Sequence, residues 1–532
     1  MANTSATWLG DFKYYFHPRI VAIFFLGIAQ GFPWVIISSG LTIWLKESGI
    51  DRATIGYAGA ILIAYSINFL WAPMLDRFNL GPIGKLFGNR RAWILSMQTI
   101  IVLGCLIASN FSPDIHLRAL IIVCIVVGFA AATQDIAIDA YRIESFPESE
   151  KKYLTAGSSM ITAGWWMGYA GIGAFPIWLS NRPGWDWPDI YPLMAMLMVL
   201  VMIPTVMMKP RVKHQKQDPH EIENKYLFLF SEQSRARSNL LFILVSAVPL
   251  VALWSIIGFP GLIEEVKNWW GITLLVLCIE TCLIVTILRF LWTTPDSGNF
   301  NHSISAENDN SFEKFLAAMI VTLVQPLKDF FKKNGVRIGL LILMFIFLFK
   351  IGEAFLGRMS LQFYLEIGFS KDDIALYSKL TTLLVTIVCS LLGGYINMRL
   401  GVVKGLFISG VAMAATNLLF SVIAQVGPDV RLYAFLVIFD GFAAAWSTVA
   451  VVSLISLLCD RNFTASQYAL LASLGTLGRT LFASTSGLLV NWLNGNWTLF
   501  FVITALMVFP SLYVLHRLKP TIAALESSNQ EG

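Results

Sequence analysis

Asp135 and Asp139 stand one helical turn apart in an otherwise apolar stretch, with Gln134 beside the first and Arg142 three residues after the second. An ionised carboxylate is costly in hydrocarbon, so such residues face a bundle interior or an aqueous path. The chemistry open to them is proton binding and release, or a permanent ion pair that braces helices. Asp135 is the candidate proton carrier, because burial and a moving cation act in opposite directions on a carboxylate. Asp139 and Arg142 share a helix face at i,i+3 and read as a gate or latch pair.

A second group carries the opposite charge. Lys350 sits some 12 residues, or about 18 Å, into its apolar run. A buried lysine needs an anionic partner, either Glu353 one turn on or a carboxylate on a bound molecule. Arg479 poses the same alternative, with Gly475 and Gly478 allowing close helix approach. Gln30 and Asp440 are further polar residues in apolar runs. Trp165, Trp166, Phe355, Tyr364 and Trp446 offer aromatic faces for sugar rings, although such residues in membrane helices more often serve packing or interface anchoring. Asp76, Arg77, Arg90 and Arg91 cluster after the second run and suit a charge latch, in which carboxylate and guanidinium groups clasp facing helix ends.

The elements that position these residues must be membrane helices. Hydrophobic residues make up 56% of the chain and charged residues 13%, with mean hydropathy +0.67. A soluble domain carries about twice that charged fraction. Apolar runs lie near 20–44, 54–75, 92–110, 117–141, 154–180, 190–208, 238–258, 271–292, 338–364, 373–396, 402–424, 431–458, 464–492 and 496–515. At the ~20 residues a spanning helix needs, these are about 14 spans of an all-α membrane protein. Lys and Arg gather in alternate loops, which places both termini in the cytoplasm by the positive-inside rule. The net charge of +5 therefore reports membrane orientation and gives no sign of a nucleic-acid partner. The first run is too long for a signal peptide. The six cysteines lie in or beside apolar runs and the six histidines at segment edges, without metal-ligand spacing. No metal or cofactor is expected.

The chain also repeats itself. Gly128-Phe129-Ala130-Ala131-Ala132 recurs as Gly441-Phe442-Ala443-Ala444-Ala445. Trp44-Leu45-Lys46-Glu47-Ser48-Gly49 parallels Phe363-Tyr364-Leu365-Glu366-Ile367-Gly368, and the Asp76 loop parallels Gly393 to Gly401, with Asn397 at the aspartate position. A latch with asparagine there should be weaker. The repeat predicts a six-helix half over 20–208, a second over 337–515, and tails at 1–19 and 516–532. Between the halves, 209–336 reads as an insertion holding a membrane hairpin (238–292), a polar tract and a possible amphipathic helix over 312–332. Two like-oriented six-helix halves resemble the plan of major-facilitator transporters. On that plan Gln30, Gln134, Asp135, Asp139, Lys350, Glu353 and Asp440 fall on the first and fourth helices of each half, which line the central cavity.

Several motifs sharpen the resemblance. Gln134-Asp135-Ile136-Ala137-Ile138-Asp139-Ala140, Trp71-Ala72-Pro73-Met74-Leu75-Asp76-Arg77 and Phe349-Lys350-Ile351-Gly352-Glu353-Ala354-Phe355 resemble segments of the AmpG muropeptide permeases. So does Phe463-Thr464-Ala465-Ser466-Gln467-Tyr468-Ala469-Leu470-Leu471 with Gly478-Arg479 behind it. Glu353 departs from the family's aspartate, and its longer side chain eases a permanent link to Lys350. The resemblance implies a monomeric permease of a Gram-negative inner membrane, importing GlcNAc–anhydroMurNAc–peptides with protons for cell-wall recycling. It also implies a cargo that controls β-lactamase induction in many bacteria. Lys350 and Arg479 would meet substrate carboxylates, with Gln30, Gln134, Glu353, Asp440 and Trp446 as further binding residues. Another anionic amphiphile, such as acetyl-CoA or a siderophore, is the alternative cargo. A membrane-embedded acyltransferase is disfavoured by the lack of a mid-membrane histidine.

Overall fold

The computed structural model describes residues 8–208 and 325–527, apart from 52–53, 56–57, 148, 371–372, 375–376, 378–380 and 484. Among these residues the regular structure is helical. The long segments are α1 (Pro18–Glu47), α2 (a broken helix from Gly59–Ile63 to Ala72–Arg77), α3 (Asn89–Ala108), α4 (Pro113–Glu144), α5 (Lys151–Trp166) and α6 (Trp187–Met207). After the insertion come α7 (Val336–Ile367), α8 (Thr382–Leu400), α9 (Val402–Val426), α10 (Val430–Leu458), α11 (Thr464–Ala483) and α12 (Trp497–Ile522). These helices lie in one compact unit, residues 1–214 with 334–532. The described residues 325–333 belong to a second unit and form most of a short helix, Gln325–Asn334. The expected hairpin at 238–292 lies outside the described residues.

Nine helices among the described residues are long and apolar enough to cross a membrane, so the expected count of about 14 is not reached. The two hairpin runs are outside the description. Three others are interrupted. The run at 54–75 is split into short pieces around Asn68. The run at 154–180 passes through a wide turn at Met167–Ile172, and the run at 464–492 breaks before Ser486–Trp492. Thr155, Ser158, Ser159 and Thr162 also lower the apolarity of α5.

Local chemistry explains the helix ends. Pro18 opens α1, where a missing N–H costs nothing, and the His17 ring accepts from the Arg19 N–H at 3.2 Å. Asp186 and Asp189 form a capping box at the start of α6. Pro33 lies inside α1, and a wide turn follows at Val35–Gly40. α1 and α5 approach backbone to backbone, and a Cβ on Gly31 would collide with the Trp165 carbonyl.

The sequence repeat is visible in the bonds. The Trp187 indole at the start of α6 donates to Glu47 at 2.6 Å, and the Trp497 indole at the start of α12 donates to Glu366 at 2.8 Å. Gly88 and Gly401, before α3 and α9, adopt the same conformation at φ 82°, ψ 152° and φ 83°, ψ 157°. Both are glycine because a side chain is strained at positive φ. The helices before and after the insertion meet through α5 with α8 and α10, and through α11 with α2 and α4.

Candidate functional site

The α1–α4 crossing gathers the acidic group. Gln30 donates to the Asp135 carbonyl at 3.2 Å and to Asp139 Oδ2 at 3.1 Å. Gln134, fully buried, donates to the Ala29 carbonyl at 2.6 Å. Asp139 Oδ1 pairs with Arg142 at 3.0 Å. Arg142 also donates to Ser158 of α5 and to Ser456 of α10, each at 3.0 Å, and its guanidinium lies over the Tyr468 ring of α11. Asp139 is thus fully engaged, and its cation touches both helix sets. Asp135 differs. Its Oδ1 is buried without a hydrogen-bond partner among the described residues, as are Gln134 Oε1, Tyr65 Oη and Trp34 Nε1. Trp34 packs on Tyr65 and Trp165, with ring centroids 4.7 and 5.7 Å apart, and Tyr65 lies within electrostatic reach of Asp135. Asp135 can therefore gain or lose a proton without breaking an ion pair, whereas Asp139 cannot.

The α7–α10 crossing is the cationic counterpart. The helix axis is interrupted at Lys350, which lies outside helical geometry between Val336–Leu348 and Ile351–Ile367. Its ammonium pairs with Glu353 and donates to Ser447 Oγ at 2.6 Å, Thr448 Oγ1 at 3.0 Å and the Ala444 carbonyl at 3.2 Å. Asp440 and Arg479 stand within electrostatic reach of it. Lys350 is buried and Glu353 half-buried, while Arg479 is exposed. Gly478, just before it, faces the Phe347 carbonyl of α7 closely. The crossing can hold one anion internally, on Lys350, and meet a second from outside, on Arg479.

The latch lies between α2, α3 and α4. Arg90 pairs with Asp76 and with Glu144 Oε1 at 2.8 Å, all three side chains being nearly fully buried. Asp76 Oδ2 also accepts from the Ser466 N–H at 2.9 Å and its hydroxyl at 2.7 Å, at the first turn of α11. A carboxylate at a helix N-terminus is favourable, so this contact ties the two helix sets. Arg91 is used locally, on the Phe87 carbonyl at 2.6 Å and on the Met208 carbonyl ending α6. Arg77 is half-buried at the end of α2.

Of the residues read as gate or latch, the structure joins Asp76 with Arg90 here and Asp139 with Arg142 at the α1–α4 crossing, while Arg91 holds backbone carbonyls. Trp446 is placed elsewhere than on a binding surface. It is buried, donates to Asn397 Oδ1 at 2.8 Å and packs on Gly393, so it joins α8 to α10. Sequence reasoning missed Glu144, Ser447, Thr448, Ser456, Tyr65 and Tyr468. Glu144 was detectable as a further charge at the end of the same span. The hydroxyls carried no signal, since serine and threonine are common in such helices.

Such an all-helical, repeated bundle, with charged residues at two helix crossings and a latch between its sets, is a membrane transporter rather than an enzyme. The chain belongs to the Major Facilitator Superfamily, whose family model matches residues 21–363. It is 27% identical to the putative transporter AmpG 4 of Rickettsia felis, covering 93% of this chain and 95% of that protein. It is 24% identical to the anhydromuropeptide permease of Escherichia coli K12, covering 94% and 79%. Among solved structures, the proton:xylose symporter XylE shares the fold with TM-score 0.56 at 14% identity, covering 95% and 96%. The AmpG-type resemblance read from the motifs thus agrees with the names of these relatives, and the chain is a multi-pass membrane protein.

Proposed function

We propose that this transporter imports anhydro-muropeptides together with protons by alternating access. The observation that carries this reading is the division of charge between the two crossings. The acidic one has Asp135, whose buried Oδ1 lacks a hydrogen-bond partner among the described residues and suits it to carry a proton. The basic one, Lys350 with the exposed Arg479, suits the several carboxylates of a muropeptide. Two of the AmpG-named relatives span most of this chain, and the E. coli protein is named for this cargo. Gln134, whose carbonyl oxygen has no hydrogen-bond partner among the described residues, suits the sugar end. Lys350 is paired with Glu353 in the structure, so a substrate carboxylate must displace or share that partner.

On this reading the halves are 20–208 and 337–515, the termini lie in the cytoplasm, and the membrane is a bacterial inner membrane. The monomer suffices, because both crossings lie in one chain. The latch, which joins the two helix sets, then closes the cytoplasmic side, and Arg142 links Asp139 to Ser456 and Tyr468 of the facing set. Uptake of labelled anhydro-muropeptide into proteoliposomes, with and without an inward proton gradient, tests the reading. Accumulation only with the gradient is expected. Uptake indifferent to the gradient refutes proton coupling, and absence of uptake refutes the cargo.

A further inference from the structure

The N-terminal residues, expected to be a tail, are part of the bundle. Trp8–Phe16 form a short helix before α1. Asp11 is buried, with 8% of its surface exposed. One of its oxygens pairs with Lys152 in the first turn of α5 at 3.1 Å, and the other with Arg399 in the last turn of α8 at 2.6 Å. Phe12 stacks on Tyr395 of α8 with centroids 4.6 Å apart. The Tyr15 hydroxyl donates to the Leu391 carbonyl of α8 at 2.7 Å and lies 3.4 Å from Ser159 Oγ of α5. Tyr14 meets Tyr153 of α5 edge-on at 4.9 Å. One nine-residue segment thus touches both sides of the α5–α8 junction, where the two helix sets meet.

The repeat says why a carboxylate is needed there. In the first copy Asp76, Arg90 and Glu144 form the latch, and Asp76 sits at the first turn of α11. The matched glycines, Gly88 with Gly401 and Gly128 with Gly441, put Val403 and Leu457 at the places of Arg90 and Glu144, while Asn397 holds the aspartate position of the shorter repeated loop. At these three places the second copy therefore carries neither the acids nor the arginine of the first. Asn397 is instead engaged by the Trp446 indole. Asp11 stands beside the first turn of α5, much as Asp76 stands at the first turn of α11.

We propose that residues 8–16 are a strap that completes the second latch, Asp11 standing in for the acid missing at Asn397 and holding α5 against α8. If α5 and α8 separate at this end during transport, the strap must release one of them. Its aromatic contacts with α8 are stacked and buried, while Lys152 is half-exposed. The ionic link to α5 is therefore the one that opens, and the strap stays on α8.

The inference rests on the alternating-access reading. The test uses spin labels at Glu150 and Leu400, in a full-length protein with its six cysteines replaced, reconstituted in lipid nanodiscs. The parent is measured without and with anhydro-muropeptide. Asp11→Asn should raise the separated population about fivefold, the effect of losing a partly exposed ion pair. Asp11→Glu should restore the parent distribution, and deletion of residues 2–12 should exceed Asp11→Asn. Melting in detergent is followed for each variant. A parent that never changes distance overturns alternating access itself. A parent that responds while Asp11→Asn and the deletion match it, or only melt earlier with unchanged distances, overturns the strap.

Discussion

The α1–α4 and α7–α10 crossings are one junction built twice around different central groups, a carboxylate in the first and an ammonium in the second. In the first, Gln30 and Gln134 knit the helices through backbone carbonyls and leave Asp135 Oδ1 without a hydrogen-bond partner among the described residues. In the second, the positions matching Gln134 and Asp135 are Ser447 and Thr448, and both accept from Lys350. The backbone scaffold fixes where polar atoms meet, while the residue types decide whether a carboxylate or an ammonium stands there. The latches differ in the same manner. The first is a buried ionic triad, and the matching places in the second hold Asn397, Val403 and Leu457.

Breaking the first latch should have the largest effect. Arg90→Ala leaves Asp76 and Glu144 buried without their cation, and should destabilise the folded protein by about 3–5 kcal/mol. Asn397→Ala at the matching place loses one indole hydrogen bond, and should cost only about 1 kcal/mol. Comparing denaturation of the two variants checks the contrast; equal losses would erase it. Lys350→Ala comes next. Removing a buried, hydrogen-bonded charge should weaken binding of a peptide-bearing substrate by about 30-fold. Calorimetry with peptide-bearing and peptide-free disaccharide reads this, and equal weakening of both would show that Lys350 does not meet the peptide carboxylates. Ser447→Ala is the mildest case. It removes one of the acceptors of Lys350, and about a fivefold change in affinity is expected by the same titration, the equivalent of about 1 kcal/mol.

Much of this was legible in the sequence because charge in an apolar run is conspicuous. Asp139 and Arg142 were readable as a pair from their spacing, as were Lys350 and Glu353, and both pairs form. The repeat was readable from Gly128–Ala132 and Gly441–Ala445. What could not be read depends on contacts between residues hundreds of positions apart. Arg142 with Ser456, and Asp76 with Ser466, needed the reach of a long side chain from α4 to α10 and the packing of α2 on α11. Trp446 looked like a binding surface by type alone, but the missing side chain of Gly393 draws it into helix packing. Asp11 sat in an aromatic segment too short to span a membrane, which gave no sign that its carboxylate is buried.

The sharpest test of the charge division compares the parent and Asp135→Asn in proteoliposomes, measuring anhydro-muropeptide accumulation under an inward proton gradient and exchange at equilibrium. The account predicts that Asp135→Asn abolishes accumulation while exchange, which needs only the Lys350 crossing and the moving halves, persists. Accumulation that survives in Asp135→Asn would contradict it.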